Sequence, residues 1–128
     1  MSPQTIMVVD DLVTLRQPVR IMLERAGYSV EEASSGKEAL DKMTESNPDL
    51  VLLDLMMPIM NGIEVIKRMK TDSVMQNIPV IILTAVADKS KLERYAKLKT
   101  IDYLLKPFTS LTLLERVRRM LQETSPPA

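Results

Sequence analysis

Five short apolar runs punctuate the chain, and between them apolar positions recur at helical spacing. The two periodicities predict strands and amphipathic helices respectively. Thr5-Ile6-Met7-Val8-Val9 is the first strand, followed by a helix with Leu15, Val19, Met22, Leu23 and Ala26 on one stripe and Gly27 as its stop. Pro18 falls inside that stretch; lacking an N–H, it must sit near the first turn or kink the helix. Ser29-Val30-Glu31-Glu32-Ala33 is a more polar strand suited to a sheet edge. Gly36 opens a second helix with Ala39, Leu40 and Met43 inward, and Asn47-Pro48-Asp49 is a turn. Leu50-Val51-Leu52-Leu53 is a fully buried third strand, and Ile63 to Lys70 a helix with Ile63, Ile66 and Met69 on the core side. Val80-Ile81-Ile82-Leu83 is the fourth strand, announced by Pro79, and a charged helix runs from about Lys89 to Leu98. Tyr103-Leu104-Leu105 is the fifth strand. The last helix, starting near Ser110, carries Leu111, Leu114, Val117 and Leu121.

Five strands alternating with five helices predict an α/β domain whose parallel sheet is covered on both faces. It spans residues 1–123, with 124–128 (Thr-Ser-Pro-Pro-Ala) as a tail or linker stub. At 128 residues, 45% of them hydrophobic, the chain is long enough for one domain with a real core. The 17 basic and 17 acidic residues cancel, so no nucleic-acid partner is expected. No apolar run is long enough for a bilayer and the N-terminus lacks signal-peptide regions, so the expected location is the cytoplasm, with no membrane partner. The absence of Cys and His excludes disulfides, thiolate metal sites, Ser-His-Asp and Cys-His catalysis and the usual general base. Chemistry is left to carboxylates, hydroxyls, Lys and Arg.

Four of the apolar runs end on such residues. The first leads into Asp10-Asp11, the third into Asp54, the fourth into Thr84 and the fifth into Lys106. Ligands in open α/β sheets bind beyond the carboxyl ends of the strands, so the alternation puts all five side chains on one rim. Three crowded carboxylates repel one another unless protonated or bridged by a cation, and Mg²⁺ suits an all-oxygen site that also takes phosphate. Asp54 would then be a nucleophile able to form an acyl phosphate, with Mg²⁺ and Lys106 balancing the phosphoryl charge and Thr84 donating a hydrogen bond. Each position alone has a plain structural alternative: an aspartate or threonine after a strand caps helices and shapes turns, and a lysine is solvated. Their joint placement favours the site.

The ordered landmarks resemble the response-regulator receiver family. They are Val8-Val9-Asp10-Asp11, Ala26-Gly27-Tyr28-Ser29-Val30, Gly36-Lys37-Glu38-Ala39-Leu40 and Pro48-Asp49-Leu50-Val51-Leu52-Leu53-Asp54. They continue with Met57-Pro58-Ile59-Met60-Asn61-Gly62, Leu83-Thr84-Ala85 and Asp102-Tyr103-Leu104-Leu105-Lys106-Pro107-Phe108. The resemblance, which runs from Ile6 to about Leu121, implies a flavodoxin-like doubly wound (βα)5 sandwich with strand order 2-1-3-4-5. It implies that Asp54 accepts phosphate from a sensor histidine kinase or histidine phosphotransfer protein, the chain being a signalling phosphoacceptor and not a classical enzyme. Asp11, Asp54 and the backbone carbonyl of Met56 would ligate Mg²⁺, with Asp10 acting mainly through a water, while Lys106 and Thr84 contact the phosphoryl group. The Lys106–Pro107 bond is similar to one that is cis in the family. Switching would move Thr84 and turn Tyr103 inward, altering the surface of the fourth helix, fifth strand and fifth helix. That surface would act on a downstream protein or an output domain, as a monomer or a phosphorylation-dependent dimer.

Several residues depart from the family pattern or compete with this reading. Lys99-Thr100 replaces the usual Gly-Ala, removing an easy left-handed helix stop, and Asn61 replaces the commoner Asp before Gly62. Met56 and Val86, both apolar, offer no side chain to orient an attacking water, so slow self-dephosphorylation is expected. Lys89, Lys91, Arg94, Lys97 and Lys99, with Arg116, Arg118 and Arg119, form either a solvated surface or a basic face for an acidic partner. A dehalogenase-type phosphatase would need a second Asp at Met56. An FMN binder would need a hydroxyl- and Gly-rich loop where Asp10-Asp11 stands. A pseudo-receiver is disfavoured by the intact set of five.

Overall fold

The period of two along a strand sends alternate side chains to opposite faces of a sheet. In the computed structural model, which describes residues 3–85, 93 and 98–124, the strands are β1 (Thr5–Val9), β2 (Ser29–Ala33), β3 (Leu50–Asp54), β4 (Val80–Thr84) and β5 (Ile101–Leu105). All pairs are parallel, in the order β2-β1-β3-β4-β5. The helices are α1 (Val13–Arg25), α2 (Gly36–Ser46), α3 (Gly62–Lys70) and α4 (Ser110–Thr124), with a short 3-10 turn at Met75–Asn77 that the apolar pattern did not announce. The helix expected from about Lys89 to Leu98 lies, apart from Glu93 and Leu98, outside the described residues; α4 is therefore the helix counted fifth from the sequence.

Ile6, Val8, Leu50, Leu52, Ile81 and Leu83 face α1 and α4, whose Val19, Leu23, Leu113 and Val117 close over them. Met7, Val9, Val51, Leu53, Val80 and Ile82 face α2 and α3, against Ala39, Met43, Ile66 and Met69. The three continuous apolar runs are thus the central strands, buried on both sides, and polar β2 is an edge as expected.

The helical stripes need two corrections and one addition. In α4 the core residues are Leu113, Val117, Met120 and Leu121, whereas Leu111 is exposed and Leu114 only partly buried. Leucines at 111, 113 and 114 permit two stripes that share Val117 and Leu121, and only packing decides between them. In α1, Leu15 and Ala26 are exposed, one beside the sheet's rim and the other in the C-cap. In α3, Val65 joins Ile66 and Met69 in the core, while Ile63, half-buried, packs against the same cluster as expected. Pro18 lies beyond the first turn of α1, so the Thr14 carbonyl lacks its usual intrahelical donor.

Local chemistry sets the helix ends. Gly27, at φ 98°, closes α1 in a Schellman motif, with Tyr28 N–H on the Leu23 carbonyl and Gly27 N–H on that of Glu24. Ser35 and Asn61 cap α2 and α3 by accepting the N–H bonds of Glu38 and Glu64, so Asn61 does the work an Asp would do there. At the Lys99–Thr100 corner, Lys70 donates to the Thr100 hydroxyl and the Gln76 carbonyl, both at 2.8 Å. Burial lowers the pKa of Lys70. The corner needs no glycine, because neither residue has a positive φ.

Candidate functional site

With all strands parallel, their carboxyl ends share one rim. The connections leaving β1 and β3 run to opposite faces of the sheet, opening a crevice between the two strand ends. Asp10 and Asp11 follow β1, and Asp54 ends β3. One carboxylate oxygen from each lies within 4.8 Å of the other two, with Asp10 and Asp54 buried and Asp11 half-buried. Lys106, just past β5, donates to Asp54 Oδ1 at 3.0 Å. Thr84 is buried at the end of β4, the strand beside Asp54, and its hydroxyl donates to the Ala85 carbonyl at 3.2 Å. The five side chains singled out in the sequence therefore gather at one end of the sheet.

Asp10 combines a structural and an electrostatic role. Its Oδ1 accepts the Leu12 N–H at 3.0 Å, a turn-forming bond at the entry to α1. Burial raises its pKa, and the Asp54 and Asp11 charges add to the rise against the Leu12 bond and Lys106. Three carboxylates face one ammonium, an all-oxygen donor set whose excess negative charge fits a hard divalent cation.

The chain leaving Asp54 folds back against it. Gly62 N–H bonds the Leu55 carbonyl at 2.9 Å, and a Cβ at position 62 would lie 2.8 Å from the Asp54 carbonyl oxygen, so only glycine fits. Between them, Met60 N–H bonds the Pro58 carbonyl around Ile59, which has φ 68°, an uncommon conformation for a β-branched residue. The Met56 side chain, two residues after Asp54, is 59% exposed. Tyr103 sits half-buried on β5 against the core cluster on the α2/α3 face. The Lys106–Pro107 peptide is cis. Val86 lies outside the described residues, as does the basic stretch 88–99 except Glu93, Leu98 and Lys99. Arg116 is occupied: it donates to Asp102 Oδ2 at 3.1 Å and the Tyr103 carbonyl at 3.0 Å, tying α4 to β5.

Arg16 escaped the sequence reading. Its guanidinium donates to the Asp10 backbone carbonyl at 2.7 Å and to Glu32 Oε1 at 2.9 Å. The available signal was an arginine one turn into the helix after Asp10-Asp11, opposite the only acidic pair of an edge strand, Glu31-Glu32. Beside the site, Leu15, Pro18, Met22, Leu83 and Phe108 line an apolar groove of about 340 Å³ that reaches Asp10 and Lys106.

A family model described as the response regulator receiver domain matches residues 6–118. The chain is 36% identical over 126 residues to the phosphate regulon transcriptional regulatory protein PhoB of Pseudomonas aeruginosa, across 98% of this chain and 55% of that protein. It is 44% identical over 126 residues to the response regulator MprA of a Mycobacterium species, across 97% of this chain and 53% of that protein. It thus spans about half the length of these relatives. Among solved structures, the chemotaxis response regulator CheY4 of Vibrio cholerae has a TM-score of 0.82 at 35% identity, covering 92% of this chain and 98% of that one.

Proposed function

The chain belongs to the response regulator receiver family of two-component signalling, and from that premise we propose that it is an Mg²⁺-dependent phosphoacceptor whose acceptor is Asp54. The observation that carries this reading is the convergence of Asp10, Asp11 and Asp54 within 4.8 Å, with Lys106 bound to Asp54. Asp11, Asp54 and the Met56 carbonyl would hold the ion, with Asp10 acting through a water. Bound there, Mg²⁺ would offset the charge of the carboxylates and of the incoming phosphoryl group.

Asp54 supplies the nucleophile. One of its carboxylate oxygens bonds phosphorus as the P–N bond of a donor phosphohistidine breaks, and the electron pair of that bond stays with the imidazole nitrogen. Lys106, already on Asp54, passes its hydrogen bond to a phosphoryl oxygen. Thr84 must give up the Ala85 carbonyl to reach another, and Tyr103 turns inward behind it. Switching works because these contacts are better made in one state than in the other. The altered surface then engages a downstream protein or output domain.

The donor is a sensor histidine kinase or histidine phosphotransfer protein, and residues 1–123 form the receiver module. A cytoplasmic location agrees with the absence, among the described residues, of any helix long and apolar enough to cross a membrane. Exposed, apolar Met56 provides no group to orient water, which supports slow loss of the phosphoryl group; rapid loss from the purified protein would oppose that.

The test is incubation with a small phosphodonor and Mg²⁺ followed by intact-mass measurement. The chain should gain one phosphoryl group, and Asp54→Asn should gain none. An unchanged wild-type mass, under conditions where a known receiver reacts, would leave a protein-binding pseudo-receiver as the better reading.

A further inference from the structure

Asp10 is fixed through its backbone as well as its side chain. Its amide donates to the Ala33 carbonyl of β2 at 3.1 Å, its carboxylate accepts the Leu12 N–H, and its carbonyl accepts Arg16 Nη1 at 2.7 Å. The same guanidinium bonds Glu32 Oε1 through Nε at 2.9 Å, and the other oxygen of Glu32 is taken by Arg20. Arg16 is well buried for an arginine, its side chain 14% exposed. It bridges an edge strand and the loop that delivers two of the three acidic groups.

We infer that Arg16 is a positioning residue for the acidic site, holding the Asp10 peptide in place while Glu32 supplies its counter-charge. The inference rests on the reading of Asp10, Asp11 and Asp54 as the Mg²⁺ site. The loop has to bring two carboxylates beside a third, and their mutual repulsion pushes it outward. A charge-assisted bond to the Asp10 carbonyl opposes that push at the backbone, leaving the carboxylates to the site. The planar fork of arginine suits the task, since it bonds Glu32 and the carbonyl together, which a single ammonium cannot do with the same geometry. Pairing with Glu32 also keeps an uncompensated positive charge away from a cation site.

The sign of the effect separates positioning from simple electrostatics. If Arg16 acted only as a nearby positive charge, its removal would tighten Mg²⁺ binding. If it positions the loop, its removal weakens binding, by about tenfold on the scale of supporting contacts around metal ligands. The experiment is an Mg²⁺ titration of the full chain at constant ionic strength, followed by amide NMR shifts, for wild type, R16A, R16K, E32Q and R16A/E32Q. R16A should bind about tenfold more weakly, R16K should fall between R16A and wild type, and the double variant should be no weaker than R16A alone.

Rates of phosphorylation by a small donor give a second readout. The Mg²⁺ concentration for half-maximal rate should shift by the same factor in R16A, while the rate at saturating Mg²⁺ stays near wild type. A merely structural role would move the metal-free unfolding midpoint and leave the Mg²⁺ affinity of the folded protein alone. Equal or tighter Mg²⁺ binding by R16A overturns the inference, and if R16A does not fold, wild-type affinity in R16K does so. Failure of the wild type to bind Mg²⁺ overturns the reading of the site instead.

Discussion

The Asp10 carboxylate is buried beside two others, yet its Oδ1 also holds the Leu12 N–H at the entry to α1. Because its pKa is raised above the ordinary 3.8, the ionised form is less favourable in the folded chain than in the unfolded one. Above that ordinary value the charge therefore costs stability whenever no cation is bound. Asp10→Asn keeps an oxygen for Leu12 and removes the charge. The expected result is a higher thermal midpoint than wild type in a chelator-containing buffer at pH 7, together with weaker Mg²⁺ binding; a lower midpoint would show that the hydrogen bond outweighs the repulsion. Asp10, Asp11, Asp54, Thr84 and Lys106 were legible in the sequence because a strand's end is visible as the end of an apolar run, and parallel strands share a rim. Arg16 was not, because its partners lie on β1's end and on β2, and their proximity depends on the sheet.

The bounds of all five strands were legible to within two residues. β1 and β2 match their expected bounds, and the all-apolar β3 and β4 each extend one residue further, onto the polar site residue that ends the run. β5, an edge strand whose Asp102 interrupts the apolar run, begins two residues earlier, at Ile101. Between elements, ties such as Arg16 and Arg20 on α1 to Glu32 on β2 leave a pH signature. The bond from Arg16 above all, joined by Arg20, holds the Glu32 carboxyl below its ordinary 4.5. Its stabilisation is therefore fully present above the unfolded pKa and lost as pH falls through the lower folded value. The difference in urea stability between wild type and Glu32→Gln should stay constant from neutral pH to about 4.5 and shrink below it, modestly and less in high salt because the pair is partly exposed. A difference that grows on acidification would contradict the tie. The Lys99–Thr100 corner makes an opposite kind of prediction. Since Lys99 does not need a positive φ, restoring the usual glycine by Lys99→Gly should destabilise the fold by about 0.5–1 kcal/mol, seen as a lower urea midpoint; stabilisation would mean the corner is strained.

At the scale of the whole molecule, the strand order could not be read from periodicity, which gives strands and helices but not neighbours; the family landmarks supplied it, and the pairing of β1 with both β2 and β3 bears it out. That order puts the acidic groups on segments distant in sequence, with Asp10 and Asp11 after β1 and Asp54 ending β3. A cation held by all three would bind the folded chain and not the unfolded one, so its binding free energy would add to global stability. The gain follows RT ln(1 + [L]/Kd), about 2.7 kcal/mol at a hundredfold excess over Kd. The thermal midpoint of the wild type should therefore rise steadily with the logarithm of Mg²⁺ concentration once the site is half filled. Asp54→Asn should flatten that rise, and Asp10→Asn should start higher and climb less, since the repulsion that the ion relieves is already reduced. Sodium chloride at matched ionic strength is the necessary control, because screening alone eases repulsion among exposed charges but reaches the buried Asp10 and Asp54 poorly. Equal shifts with the two salts would mean that the acidic crevice is a cluster of repelling charges and not an ion site.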